Sequence, residues 1–199
     1  MRTLPRLYAI TDRRKFRAGF TTALEGILRR NVKMIQLREK DLGGRELYSL
    51  ARQARELTEQ YGALLLINER LDIAVAVGAD GVHLPEKGLP PGVVKDLFPH
   101  LLVGYSAHSL EGVLYAQKEG ADFVTLSPIF RTESHPEAEP LGLEELKRVS
   151  AKVNVPIYAL GGVTQERIEL CLKNGAYGVA GITMFLDGED EGPDSGGSP

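Results

Sequence analysis

The 199-residue sequence predicts an α/β fold, a small (β/α)8 TIM barrel with a truncated last helix. Three observations predict it: eight short apolar runs, longer amphipathic stretches between them, and one phrase that recurs at the junctions. The runs fall at 7–11, 34–37, 64–68, 81–84, 102–106, 123–127, 156–160 and 178–182, each the length of a strand buried on both faces. Strand and helix in alternation imply parallel pairing through crossover helices. About eight strands, spaced roughly 20 to 30 residues apart, favour a closed barrel over a doubly wound open sheet.

The clearest helix spans 45–61, with Leu47, Leu50, Ala51, Ala54 and Leu57 along one side. Stretches 110–119, 143–150 and 165–174 read the same way. Thr164 is placed as an N-cap for the last of these and Gly175 as its stop. The phrase GADGVHL at 78–84 returns as GADFVTL at 120–126 and GAYGVAG at 175–181, one unit of helix end, tight turn and buried strand. Beyond Ile182 only residues 183–186 precede an acidic Gly/Ser/Pro-rich tail. The expectation is one barrel domain over 1–186 and a disordered tail over 187–199. With no full closing helix, the outer face of the last strand needs other cover, so a homo-oligomer is expected, a dimer first.

A formal net charge of −3 argues against a nucleic-acid partner. One cysteine, Cys171, excludes an intrachain disulfide and a cysteine-rich metal cluster. No apolar stretch is long enough for a bilayer, and Arg2 and Arg6 precede no hydrophobic run, so a cytoplasmic location is the expectation.

In barrels of this kind chemistry sits at the carboxyl ends of the strands. Alternation puts Gln36, Arg38 and Lys40 on one side of the second strand's end, toward the mouth, and Ile35, Leu37 and Glu39 on the other. Asn68 and Glu69 end the third strand. Asn68 can bond a substrate or a loop, and Glu69 can bind a cation or cap the next helix. Ser106 closes the fifth strand, followed by His108, read as structural, and Ser109, read as a helix cap. Thr132, Ser134 and His135 belong to a long proline-flanked loop, the length of a lid or substrate contact. After the seventh strand, Gly161 and Gly162 can present backbone N–H groups to a phosphate, as can Gly181, Ile182 and Thr183 after the eighth. No metal-ligand spacing, Ser-His-Asp order or P-loop is present.

LYAITD (7–12), QLREK (36–40), INERLDIA (67–74), GADGVHL (78–84), SPIFRTESH (127–135) and ALGGV (159–163) stand in an order that resembles the thiamine-phosphate synthase and TenI superfamily, over residues 7 to about 185. The resemblance implies the barrel and a thiazole-phosphate ligand. Gln36, Arg38, Lys40, Asn68, Ser106, Thr132, Gly162 and Ile182 fit its binding pattern, with Ser134 and Thr183 as close substitutes. The synthase branch joins a pyrimidine diphosphate to thiazole phosphate and uses magnesium. Its metal-binding aspartates fall at Glu69 and Gly88, and its diphosphate-contacting lysine at His135. The tautomerase branch aromatises a carboxylated thiazole phosphate by proton transfer without a metal. Residues 84–91 and 98–124 look like that branch, although its histidine falls at Pro128.

The resulting expectation is a thiazole tautomerase-like enzyme with no cofactor. Gly162, Ile182 and Thr183 would hold the phosphate, Arg38, with Lys40, the carboxylate, and His135 would shuttle the proton. The alternatives are a thiamine-phosphate synthase, with magnesium at Glu69, and a ligand-binding regulator that has lost catalysis.

Overall fold

The computed structural model describes residues 3–132 and 136–186. Its strands are β1 (Leu7–Ile10), β2 (Met34–Leu37), β3 (Leu64–Asn68), β4 (Gly81–Leu84), β5 (Leu102–Ala107), β6 (Phe123–Leu126), β7 (Ile157–Ala159) and β8 (Gly178–Gly181). Each pairs in parallel with the next, and β8 pairs with β1, so the sheet closes as the predicted eight-stranded barrel. The α-helices between them are α1 (Phe20–Arg29), α2 (Gly44–Gln60), α3 (Leu71–Ala76), α4 (Pro91–Leu97), α5 (Leu110–Lys118), α6 (Gly142–Ser150) and α7 (Ile168–Lys173).

Alternation along the strands builds two cores. Outward-facing Ile35, Leu37, Leu65, Ile67, Val82, Leu84 and Val179 pack beneath the helices with Leu24, Leu28, Ala51 and Ala54. Inward-facing Tyr8, Met34, Leu66, Phe123, Tyr158 and Ala180 fill the pore. Tyr8, Phe123 and Tyr158 meet edge to face, with centroids 5.2 to 5.8 Å apart, and form a solid aromatic plug. The segment before β1 seals the amino end: Tyr158 donates to the Pro5 carbonyl and Tyr177 to that of Leu4. Gly104 on β5 belongs to the same packing. A Cβ there would lie 2.5 Å from the Phe123 ring and 2.6 Å from His83 Nδ1, so only glycine admits both rings.

Two local expectations need correction. The stretch 165–174 is not one helix: a 3-10 turn, Gln165–Arg167, leads into the six-residue α7. Thr164 has the extended backbone of a cap but makes no side-chain cap bond, its hydroxyl bonding the Glu166 carboxylate instead. At β8 the chain supplies cover of its own. A 3-10 turn, Thr183–Phe185, folds back so that Met184 packs against Gly181 and Phe185 is buried, while α7 covers the rest. Gly175 does stop α7, at φ +92, and Ser109 caps α5 by accepting from Gly112 N–H. The expected tail, 187–199, lies outside the described residues. Among those described, no helix is long and apolar enough to cross a membrane.

Candidate active site

Because the aromatic plug closes the pore from below, the cup above it opens at the carboxyl ends of the strands. Gln36 and Arg38 line it from β2, as the alternation of that strand predicts. Gln36 is buried, and its Nε2 donates to the Tyr8 hydroxyl at 3.0 Å. Arg38 is half-buried; desolvation lowers its pKa, against the attraction of Asp12 and Glu39. Lys40 departs from the expectation. It is exposed, because β2 ends at Leu37 and the chain is already turning toward α2.

Glu39 departs further. Assigned to the outer side, it is instead a buried carboxylate that ties the loop after β1 to the end of β2. It accepts from Thr11 Oγ1 at 2.7 Å, from the Arg13 backbone N–H at 3.0 Å and from the Arg13 guanidinium at 3.0 Å. Thr11 Oγ1 in turn accepts from the Arg38 backbone N–H at 3.0 Å. Asp12 beside it is held ionised, its pKa lowered chiefly by the Arg14 side chain.

Asn68 ends β3 half-buried, paired in register with His83. Glu69, next to it, is exposed and sits at φ +61. His83 itself was passed over in the sequence, where GVHL reads as part of a repeat. Yet alternation sends Val82 and Leu84 to the helices and His83 into the pore. Its Nδ1 lies 3.1 Å from the Tyr8 hydroxyl and its Nε2 3.0 Å from Ser106 Oγ. Burial, aided by the charge of Arg38, depresses its pKa from 6.5 to about 3, so the imidazole is neutral. Ser106 is half-buried. His108 is exposed and bonds the Ser127 carbonyl at 2.8 Å, the structural role expected of it. On β6, Thr125 pairs with Ser106 in register and is fully buried, and its hydroxyl has no partner among the described residues.

At the β7 end, Gly161 and Gly162 adopt φ +92 and +63. Their positive φ turns both carbonyls away from the cup: the Gly161 oxygen accepts from Phe130 N–H, and that of Gly162 from Arg167. A Cβ on Gly162 would lie 2.3 Å from the Arg131 carbonyl. Among the described residues the N–H groups of Gly162 and Thr183 make no backbone hydrogen bond in the turns, which sets donors at neighbouring strand ends. Ile182 is half-buried, Thr183 exposed and Thr132 half-buried. Ser134 and His135 lie outside the described residues. Among those described, no group of three or more His, Cys, Asp or Glu side chains gathers as a metal cage.

A closed β/α barrel with a Gly-Gly turn after β7, a Gly-Ile-Thr turn after β8 and a cation just past β2 has the architecture of enzymes that handle small phosphorylated substrates. The chain belongs to the thiamine monophosphate synthase family, whose model matches residues 7–185. A protein of Aquifex aeolicus named "Putative thiamine-phosphate synthase 2" is 66% identical, covering 92% of this chain and 99% of that one. A Caldanaerobacter subterraneus thiamine-phosphate synthase is 41% identical, covering 93% and 88%. A solved Pyrococcus furiosus thiamine phosphate pyrophosphorylase is 36% identical with a TM-score of 0.84, covering 93% and 89%. These names place the chain among thiamine-biosynthetic relatives, and they favour the synthase alternative over the expected tautomerase.

Proposed function

We propose that the chain is a thiamine-phosphate synthase, coupling a pyrimidine diphosphate to a thiazole phosphate. The observation that carries the proposal is the 66% identity to a protein named for that activity, in a barrel whose Gly162 and Thr183 amides make no backbone bond among the described residues. Gly162, Ile182 and Thr183 hold the thiazole phosphate through main-chain and hydroxyl donors. Arg38, kept in place by the Thr11–Glu39 clasp, meets the second anion, with Gln36, Asn68, Ser106 and Thr132 orienting the rings. The family's magnesium would be held by one carboxylate of this chain, that of Glu69. An ion that arrives on a diphosphate needs only one or two protein carboxylates, so this suffices for a contact. When bound, it neutralises the departing diphosphate.

A second reading, the thiazole tautomerase, is favoured by Gly88. The family's other metal carboxylate falls there, yet a Cβ would lie 2.9 Å from Pro85 Cδ and 3.1 Å from its carbonyl. In that reading Arg38 holds the substrate carboxylate and His135 moves the proton. The deciding experiment incubates purified protein with pyrimidine diphosphate and thiazole phosphate, with and without magnesium. Magnesium-dependent thiamine phosphate is expected, and Arg38→Ala should abolish it. No coupling, with metal-independent aromatisation of the carboxythiazole phosphate, would give the second reading. Phosphate-ester binding with neither reaction would make the protein a regulator.

A further inference from the structure

Four polar side chains of the pore form a single file, Gln36, Tyr8, His83 and Ser106, with the buried Thr125 hydroxyl outside it. Gln36 Nε2 can only donate, so the Tyr8 oxygen accepts from it. That leaves the one Tyr8 proton to point at its other neighbour, His83 Nδ1. A neutral imidazole that accepts at Nδ1 carries its proton on Nε2. His83 Nε2 therefore donates to Ser106 Oγ, and the serine's own proton must leave in another direction. Ser106 is half-buried where the others are sealed, and its open side is the cup.

We infer that His83 is a positioning residue, the last fixed member of a one-way hydrogen-bond chain that locks the Ser106 hydroxyl as a donor into the cup. The ligand group it selects is an acceptor, either a ring nitrogen or a phosphate oxygen. A hydroxyl free to rotate would present a lone pair as readily as a proton. The surroundings protect the polarity. Tyr8 is buried with its pKa well raised, so it keeps its proton, and the Arg38 charge beside His83 opposes a second proton on the ring. Phe123 and the missing side chain of Gly104 hold the imidazole in place.

The substrate side of this inference rests on the proposed synthase reaction; the chain's polarity does not. Two measurements keep them apart. In 15N-histidine NMR of the ligand-free protein, His83 should show a protonated Nε2 and a bare Nδ1 from pH 5 to 8, and Tyr8→Phe should blur that distinction while keeping the ring packing. An Nδ1-protonated ring, or titration within that range, overturns the inference. In kinetics, His83→Phe should raise KM for one of the two substrates about tenfold, and His83→Gln should restore most of it. The substrate affected identifies the acceptor. In a Ser106→Ala background the His83→Phe loss should vanish; losses that multiply would mean mere packing and also overturn it. Absent turnover with an Nε2-protonated His83 sinks the activity assignment and supports the chain's polarity.

Discussion

Thr11 and Glu39 meet at 2.7 Å across the gap between β1 and β2, and the same threonine oxygen receives the Arg38 backbone N–H. Glu39 therefore acts on the cup without facing it. Removing its carboxylate strands the Thr11 hydroxyl and the Arg13 N–H, while the Arg13 side chain keeps Asp41 at 2.7 Å. Glu39→Ala should cost about 2–3 kcal/mol, less than a sealed ion pair because Arg13 is partly solvated. Urea denaturation reads the stability, and a raised KM for phosphate-bearing substrates reads the loosened Arg38. A Glu39→Ala variant with unchanged midpoint and KM would show the clasp to be idle.

The buried imidazole sets a pH dependence whose sign follows from its direction. His83 titrates at about 3 in the folded protein against 6.5 when unfolded. Between those values the unfolded chain binds a proton that the folded chain refuses. Stability therefore falls as pH falls through that window, at up to about 1.4 kcal/mol per unit from this group, and is flat in it above 6.5. His83→Gln should remove the component: between pH 7 and 4.5 it should lose about 2–3 kcal/mol less than the parent. Parallel curves for the two proteins would contradict the assignment.

How far the sequence reaches can be judged on particular residues. All eight strands were legible within a residue or two, because a strand buried on both faces is a short apolar run with sharp ends. Gln36 was legible for the same reason, since period two holds inside β2. It fails at Glu39 and Lys40, two and three residues beyond the strand's last ladder position, where the turn decides the direction. His83 was hidden by its setting in a repeated phrase, although alternation around Val82 and Leu84 would have found it. What made room for its ring, Gly104 on the next strand, depends on register and has no signature along the chain. The break between the turn at 165–167 and α7 was not legible either, because a 3-10 turn and an α-helical turn share nearly one apolar spacing.

Thr125 offers a test of the cup's depth. Its hydroxyl is fully buried with no partner among the described residues, so it costs desolvation and returns nothing in the ligand-free protein. Thr125→Val should leave stability unchanged or raise it by about 0.5–1 kcal/mol. If the neighbouring Ser106 region receives the substrate, the same variant should weaken substrate binding severalfold. A clear loss of thermal stability would reveal a partner for the hydroxyl.

Gly162 and Gly62 separate backbone strain from crowding. Both have positive φ, +63 and +60, but a Cβ on Gly62 meets nothing within 4 Å. Gly62→Ala should cost only the conformational penalty, about 1 kcal/mol. Gly162→Ala carries that penalty and a 2.3 Å clash with the Arg131 carbonyl. It should cost at least about 2 kcal/mol more and weaken thiazole-phosphate binding by tenfold or greater, as calorimetric titration would show. Equal costs at the two positions would mean that the β6–α6 loop yields freely and that the amide's placement is not guarded by packing.

Gly88→Asp asks whether the family's second carboxylate can be restored by one substitution. A side chain at 88 must push against Pro85, whose carbonyl already accepts the Gly88 N–H at 2.8 Å in a closed turn. The turn has been built around the absence of a Cβ, so the new carboxylate arrives with a shifted backbone. The expected result is a loss of about 1–2 kcal/mol with no decrease in the magnesium concentration that gives half-maximal coupling. Glu69→Gln, by contrast, removes an exposed carboxylate and should raise that concentration severalfold at little cost in stability. A Gly88→Asp protein that coupled substrates at lower magnesium would show that the turn gives way, and that the glycine rather than the loop's shape separates this chain from a two-carboxylate site.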